Sequence, residues 1–219
     1  MAGREQGMRV TEKTKKTGIM GGTFDPIHTG HLMLAEWVRD KYQLDEVIFI
    51  PTGVSYMKSS RHVMGGDLRL RMVELAIEDR EEFSYSDIEI RREGNTYTCE
   101  TLLSLRLQRP QEQLFFISGA DCLFAIENWK DPEVIFQNCT LISAARNSVS
   151  MEDMERKRQE LAERFHADIR LTTFPNMEIS STDIRERLRQ GHSIRYMVPE
   201  RVRQFILDNQ LYLGEDGRR

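Results

Sequence analysis

Two histidines three residues apart follow a pair of glycines in the stretch GGTFDPIHTGH, residues 21–31. The glycines would let the main chain approach a ligand closely, and Thr23 offers a hydroxyl and an N–H to a phosphate. We expect His28 just outside a helix and His31 in its first turn, where imidazoles can donate hydrogen bonds to phosphoryl oxygens in a transition state. The alternative is that His28 caps the turn and His31 is an ordinary surface residue.

A second polar group opens another predicted helix, near the other end of the chain. Ser180, Ser181 and Thr182 offer hydroxyls and N–H groups that can form an anion-binding nest. Arg185, one turn later, can point a guanidinium at the same place. The alternative is a helix N-cap with Asp183 in the first turn and a solvated arginine.

The elements around these residues alternate between strand and helix. TGIMG and EVIFIP read as buried strands, and Gly30–Tyr42 between them has helical spacing, which indicates a parallel sheet with a crossover helix. Four more strands are predicted at SYSDIEI, EQLFFISG, CTLISAAR and ADIRLTTF, and further helices follow a cap at Asp67, follow a cap at Thr98, or span Pro132–Asn138, Met151–Phe165, ISSTDIRERLRQG and Pro199–Asn209. The pattern predicts an α/β fold: a Rossmann-like, doubly wound parallel sheet in a single domain with a helical C-terminal end.

Composition limits the function classes. The chain has 219 residues with 39% hydrophobic content, and 31 basic against 35 acidic side chains give a formal charge of −4, which does not favour nucleic acid or an anionic membrane as a partner. No apolar run approaches the length of a membrane span, and the start lacks a signal-peptide pattern. We therefore expect a cytoplasmic protein, with residues 1–17 as a flexible tail and 18–213 as the domain.

The cysteines are odd in number and form no C-x-x-C pair. Cys99, Cys122 and Cys139 are therefore expected to be reduced, buried thiols rather than a disulfide framework or a zinc site.

The first motif has neither the Walker pattern nor the G-x-G-x-x-G pattern. It resembles the H-x-G-H signature of the nucleotidyltransferase superfamily, and in its eleven-residue form the nicotinate-nucleotide adenylyltransferases of bacterial NAD synthesis. ISSTDIR and REGNTYT resemble two further motifs of that family. The resemblance implies transfer of the adenylyl group of ATP to nicotinate mononucleotide, with Mg²⁺ carried by ATP and no metal site of the protein's own.

The resemblance also implies roles for individual residues. The catalytic group would be His28, His31, Lys58 and Arg185. ATP would be bound by Gly21, Gly22, Thr23, Phe24, Gly119, Asp121, Ser180, Ser181, Thr182 and Arg185. The acceptor, nicotinate mononucleotide, would be bound by Lys58, Thr98, Trp129 and Arg146. Each of these residues also has a simpler possible role: Asp121 or Thr98 could cap a helix, Trp129 could be packed in the core, and Lys58 could be a solvated loop residue.

The sequence departs from the family pattern near the acceptor side. Met57 replaces a histidine before the loop lysine, and Asn147-Ser148 replaces a Pro-Gly pair. Beyond Lys130 no cation obviously faces the nicotinate carboxylate, so we expect backbone N–H groups near Thr98 and Trp129 to bind it. Arg69 and Arg71 are expected to decorate a helix surface.

Other functions share part of this sequence pattern. An adenylyltransferase for nicotinamide mononucleotide or pantetheine phosphate, or a cytidylyltransferase, would share the H-x-G-H element but not the full set of three motifs. A nucleotide-sensing module without chemistry would not need both histidines. The substrates expected are small molecules, and the sequence leaves a homo-oligomer open.

Overall fold

The computed structural model describes residues 14–55, 63–145, 149–175 and 178–213. Its strands are β1 (Lys16–Gly22), β2 (Glu46–Pro51), β3 (Val54–Ser55), β4 (Phe83–Tyr85), β5 (Asn95–Thr96), β6 (Gln113–Gly119), β7 (Thr140–Ala145) and β8 (Ile169–Thr173). Its helices are α1 (Thr29–Tyr42), α2 (Gly66–Ile77), α3 (Thr98–Gln108), α4 (Ala120–Ala125), α5 (Pro132–Asn138), α6 (Met151–Phe165), α7 (Ser181–Arg189) and α8 (Glu200–Asp208), and a 3₁₀ turn spans Ile126–Asn128.

Six strands form one sheet in the order β4-β2-β1-β6-β7-β8, and every pairing in it is parallel. The chain runs outward from β1 through β2 to β4, then returns to β6 on the other side of β1 and continues to β8. Loops that leave the carboxyl ends of β1 and β6 therefore diverge, which creates the crevice where open α/β sheets bind ligands. The predicted doubly wound fold is confirmed.

Helices cover both faces of the sheet. α1, α2, α7 and α8 contribute to the apolar layer on one face, and α3, α4, α5 and α6 to the layer on the other. Neighbouring side chains of one strand divide between the layers, as Phe115 and Phe116 of β6 do. Burial on both faces explains why the central strands read as continuous apolar runs.

Several predicted boundaries were wrong. β1 begins at Lys16 and Thr17 is buried, so two residues assigned to the tail belong to the sheet. The strand predicted over SYSDIEI ends at Tyr85, because the Ser86 hydroxyl accepts the N–H of Ile88 and turns the chain.

Two predicted helix caps were also wrong. Thr98 is the first residue of α3, which Tyr97 precedes as N-cap. Asp67 lies in the first turn of α2, whose N-cap is Gly65. The three cysteines are free thiols, and within the described residues no helix has the length and apolar character to cross a bilayer.

Candidate functional site

The loop from β1 to α1 is shaped by a close contact at Gly22, the last residue of β1. A Cβ on Gly22 would lie 2.8 Å from the ring of Phe24, whose backbone has a φ of 48°. Phe24 is 1% exposed and meets the His31 ring edge-on, with ring centroids 5.0 Å apart. Gly22 therefore lets Phe24 fold underneath the loop and support His31.

The two histidines form a stacked pair at the start of α1. His28 is the N-cap and His31 the third helical residue, and their ring centroids are 3.7 Å apart with planes inclined by 27°. The backbone N–H of His28 donates to Nδ1 of His31 at 3.2 Å. Nδ1 of His31 is therefore an acceptor, which assigns the proton of the neutral ring to Nε2 and leaves Nε2–H as a donor.

Gly30 makes room for this pair. A Cβ at Gly30 would lie 3.1 Å from Nδ1 and 3.2 Å from Cε1 of His28, closer than ordinary side-chain contacts. His28 is only 3% exposed, so its ring is packed between the helix start and His31. The glycine between the two histidines is thus a packing requirement.

A cavity of about 310 Å³ opens at the carboxyl ends of β1 and β6. Its wall includes His31 and, among the other predicted site residues, Gly21, Gly22, Thr23, Thr98, Gly119 and Trp129. His28 is buried behind His31. Asp121 is exposed in the first turn of α4, and Phe24 lies beneath the loop. The cavity wall thus combines residues predicted to bind ATP with residues predicted to bind the acceptor.

α7 is fastened to the loop that carries the histidines. The Ser181 hydroxyl donates to the carbonyl of Pro26 at 2.9 Å, and Arg185 Nη1 donates to the carbonyl of Asp25 at 2.6 Å. Arg185 Nη2 also donates to the Thr182 hydroxyl at 3.2 Å. The two polar groups noted in the sequence, about 150 residues apart, are therefore adjacent.

The hydroxyls of this second group already have partners within the protein. Ser180 caps α7 by accepting the N–H of Asp183, as the simpler reading of the motif expected. An anion at this helix start would therefore be bound mainly by backbone N–H groups and by Arg185.

Asp25 is a buried carboxylate inside the same loop. It is 4% exposed, and its Oδ1 accepts the hydroxyl proton of Tyr212 at 2.6 Å. Its Oδ2 lies 3.4 Å from the N–H of Met64 and 3.9 Å from Arg185 Nη1.

Arg69 does not decorate the surface as predicted. It is 4% exposed, and burial lowers the pKa of its guanidinium, which the nearby Asp25 charge opposes. Arg69 donates to the carbonyls of Thr23, Thr52 and Met64 at 2.8, 2.7 and 2.8 Å. It therefore ties the histidine loop to the segment after β2. Arg71 is exposed, as expected.

Glu89 is a cavity residue that the sequence reasoning missed. It is 7% exposed, lines the cavity and accepts the Thr101 hydroxyl proton at 2.8 Å. Burial raises the pKa of its carboxyl, against hydrogen bonds from Thr101, Thr96 and the Gly53 N–H. The stretch SYSDIEI was predicted only as a strand, and no sequence signal marked Glu89 as buried.

Thr98 and Trp129, which the sequence predicted to bind the acceptor, both line the cavity. α3 begins at Thr98, so the positive end of its dipole reaches the cavity wall. The indole N–H of Trp129 is buried and has no hydrogen-bond partner among the described residues, and its ring packs edge-on against Phe116. The backbone N–H of Trp129, expected to be available for a carboxylate, instead donates to Ile126 at 3.1 Å. Met57, Lys58, Arg146 and Asn147-Ser148 lie outside the described residues.

Comparison with known proteins identifies the family. A model of cytidylyltransferase-like proteins matches residues 19–187. A protein of Lachnoclostridium phytofermentans named "Probable nicotinate-nucleotide adenylyltransferase" is 44% identical over 199 residues, which is 91% of this chain and 100% of the relative. A protein of the same name from Clostridium beijerinckii is 42% identical over 90% of this chain and 99% of its own length.

The chain belongs to the nicotinate-nucleotide adenylyltransferase family. This membership confirms the resemblance read from the three motifs, and with it an enzyme of the nucleotidyltransferase type.

Solved structures agree on the fold. The nicotinic acid mononucleotide adenylyltransferase of Plasmodium falciparum, complexed with NaAD, superposes with a TM-score of 0.74 at 20% identity and covers 90% of this chain and 97% of its own. A nicotinate-nucleotide adenylyltransferase structure from Vibrio parahaemolyticus gives a TM-score of 0.62 at 21% identity, covering 91% and 96% of the two chains.

Proposed function

We propose that the chain transfers the adenylyl group of ATP to nicotinate mononucleotide, giving nicotinate adenine dinucleotide and pyrophosphate for NAD synthesis. The observation that carries the proposal is the stacked histidine pair, whose His31 ring forms part of the cavity wall where β1 and β6 diverge. Relatives of full length that carry the matching name support the choice of acceptor.

The reaction needs no covalent intermediate with the enzyme. A phosphate oxygen of nicotinate mononucleotide attacks the α-phosphorus of ATP, and the bond from that phosphorus to the oxygen bridging to the β-phosphate breaks. The nucleophile is already an anion, so a strong general base is unnecessary. Catalysis then rests on positioning and on stabilising charge as it shifts toward the leaving pyrophosphate.

His31 is assigned the main stabilising contact. Because its Nδ1 accepts the N–H of His28, Nε2 carries the proton of the neutral ring and is the nitrogen that would donate to an α-phosphoryl oxygen. His28 fixes the orientation of that ring by stacking on it. Lys58 is proposed to attract the acceptor phosphate, by family resemblance alone.

ATP is proposed to lie across the starts of α1 and α7. Gly21, Gly22 and Thr23 would approach the α-phosphate, and the start of α7 with Arg185 would bind the β- and γ-phosphates. Ribose hydroxyls would bind near Gly119 and Asp121. Mg²⁺ is proposed to arrive on the phosphates, where it supplies positive charge and keeps most of its waters.

The nicotinate ring is proposed to bind between Thr98 and Trp129. The N-terminal end of α3 favours an anion there. The indole N–H of Trp129 is a further donor on this wall. Lys130 adds a positive charge, although it is already paired with Glu100 at 2.6 Å and lies over the Tyr97 ring. Arg146 is proposed to face the acceptor phosphate.

The test is incubation with ATP, Mg²⁺ and each of nicotinate mononucleotide, nicotinamide mononucleotide and pantetheine phosphate, with products identified by mass. We expect kcat/KM for the nicotinate acceptor to exceed that for the amide by about 100-fold or more, because donors meant for a carboxylate would face the amide NH₂. Equal efficiencies or a preference for the amide would contradict the acceptor assignment. ATP binding without product from any acceptor would favour a nucleotide sensor.

A further inference from the structure

The Asp25 carboxylate depends on a donor from a distant part of the chain. It is 4% exposed, and a buried carboxylate requires donors or a cation close by. Its shortest hydrogen bond comes from the Tyr212 hydroxyl, 2.6 Å from Oδ1. The N–H of Met64, 3.4 Å from Oδ2, is a much longer contact. Burial and the neighbouring carboxylate raise the pKa of Tyr212, so its hydroxyl remains a donor.

Two guanidinium groups lie near this carboxylate, and one of them is fixed. Arg69 is 4% exposed, and each of its three nitrogens donates to a main-chain carbonyl at 2.7 or 2.8 Å. Turning Arg69 toward Asp25 would leave three part-buried carbonyls without these donors, which is costly.

Arg185 is the guanidinium that can move. Its side chain is 22% exposed, and its Nη1 lies 2.6 Å from the Asp25 carbonyl oxygen but 3.9 Å from Oδ2. The longer distance fits an ion pair but exceeds that of a hydrogen bond, so the carboxylate and the guanidinium attract each other without a hydrogen bond between them. A small rotation would convert this ion pair into a charge-assisted hydrogen bond.

We infer that Tyr212 is a positioning residue for ATP binding: its hydroxyl satisfies the Asp25 carboxylate and thereby keeps Arg185 from turning inward to hydrogen-bond with it. Arg185 then stays on the main-chain oxygen of Asp25, with its outer face turned to the nucleotide phosphates. The inference rests on the proposed function in one respect, namely that Arg185 binds those phosphates.

Tyr212→Phe tests this inference because it removes the hydroxyl and keeps the ring. We expect the KM for ATP to rise about tenfold and kcat to fall, in the same direction as expected for a change at Arg185 itself, while the KM for the acceptor stays constant. The dissociation constant of α,β-methylene ATP, measured by calorimetry without acceptor, should rise by the same factor. A tenfold change corresponds to about 1.4 kcal/mol of binding free energy.

The matched control is Tyr42→Phe. Tyr42 is also partly buried and donates its hydroxyl to a distant carbonyl, that of Leu171 at 3.3 Å, but it lies at the far end of α1. Tyr42→Phe should leave the KM for ATP and the dissociation constant of α,β-methylene ATP unchanged.

The decisive comparison places Tyr212→Phe in an Asp25→Asn background. The asparagine amide oxygen carries no charge and attracts a guanidinium much more weakly than a carboxylate does, so the loss of the hydroxyl should change ATP binding less than about twofold there. An equal effect in both backgrounds would overturn the inference, as would unchanged ATP binding in Tyr212→Phe.

A Tyr212→Phe protein that fails to fold would also overturn it, because the hydroxyl would then stabilise the fold rather than the position of Arg185. Thermal unfolding of each variant detects that outcome. Because calorimetry with the ATP analogue needs no acceptor, a wrong acceptor assignment would leave this result intact.

Discussion

Replacing Gly30 with alanine should lower kcat without lowering the stability of the fold. The new Cβ would lie 3.1 Å from His28 Nδ1, about 0.3 Å inside the 3.4 Å at which ordinary contacts begin. The His28 ring is 3% exposed and stacked on His31, so it can yield only by moving its partner as well. The donor proposed to face the α-phosphate therefore shifts by a few tenths of an ångström.

The magnitude follows from the sensitivity of catalysis to position. A misplacement of about 1 Å costs roughly 100-fold, so 0.3 Å should lower kcat about fourfold, which is about 0.8 kcal/mol of barrier. Stability should change little or rise, because alanine is favoured over glycine in a helix by roughly 0.5–1 kcal/mol, which offsets the tight contact.

The assay is steady-state turnover at saturating ATP and acceptor, together with thermal unfolding. Gly65→Ala is the matched control, because Gly65 also stands at a helix start, has a φ of −50° and has open space where the Cβ would be. Wild-type kcat in Gly30→Ala would refute the packing argument. A large fall in melting temperature would show instead that the contact damages the fold.

Three further predictions concern other parts of the site. His31→Ala should lower kcat by roughly 10² to 10³ with a smaller effect on ATP binding, and unchanged turnover would make the ring structural. Arg185→Lys should raise the KM for ATP and lower kcat, because lysine lacks the planar fork that can bind the Asp25 carbonyl, the Thr182 hydroxyl and a phosphate together. Wild-type kinetics would argue against phosphate contact. The control is Arg189→Lys on the same helix. Glu89→Gln should flatten the pH dependence of stability, since a carboxyl with a raised pKa stabilises the fold at pH below about its ordinary 4.5 and loses that contribution as pH rises through its folded value. Urea unfolding of both proteins between pH 4.5 and 8 measures this, and parallel curves would contradict it.

Local signals explain why many elements could be predicted from the sequence. Pro132 at the first helical position marks the start of α5, and Ser150 caps α6, so both helices have the predicted bounds. The position of the two histidines at a strand-to-helix turn could be predicted because the glycines and the apolar spacing of α1 are local features of the sequence.

Features that depend on distant partners could not be predicted. Arg69 looks like a surface residue in its helical pattern, yet it is buried where the carbonyls of Thr23 and Thr52, from other segments, accept its N–H groups together with that of nearby Met64. Glu89 is buried by threonines of β5 and α3, which follow it in the chain. The order of the strands and the contact between Arg185 and Asp25 likewise depend on tertiary packing.

The hydrogen bond between Asp25 and Tyr212 joins residues 187 positions apart, which has a consequence for biosynthesis. At the roughly 5–20 residues per second of translation, Tyr212 is made on the order of 10 to 40 s after Asp25. In the last part of that interval, after Thr173 has been made, the nascent chain contains both histidines and the whole central sheet but lacks the Tyr212 donor to a carboxylate that the native fold buries. A ribosome that stops short of Tyr212 therefore releases a chain whose compact state carries an undersatisfied charge, and proteases that sample transient opening would remove it in preference to the finished protein.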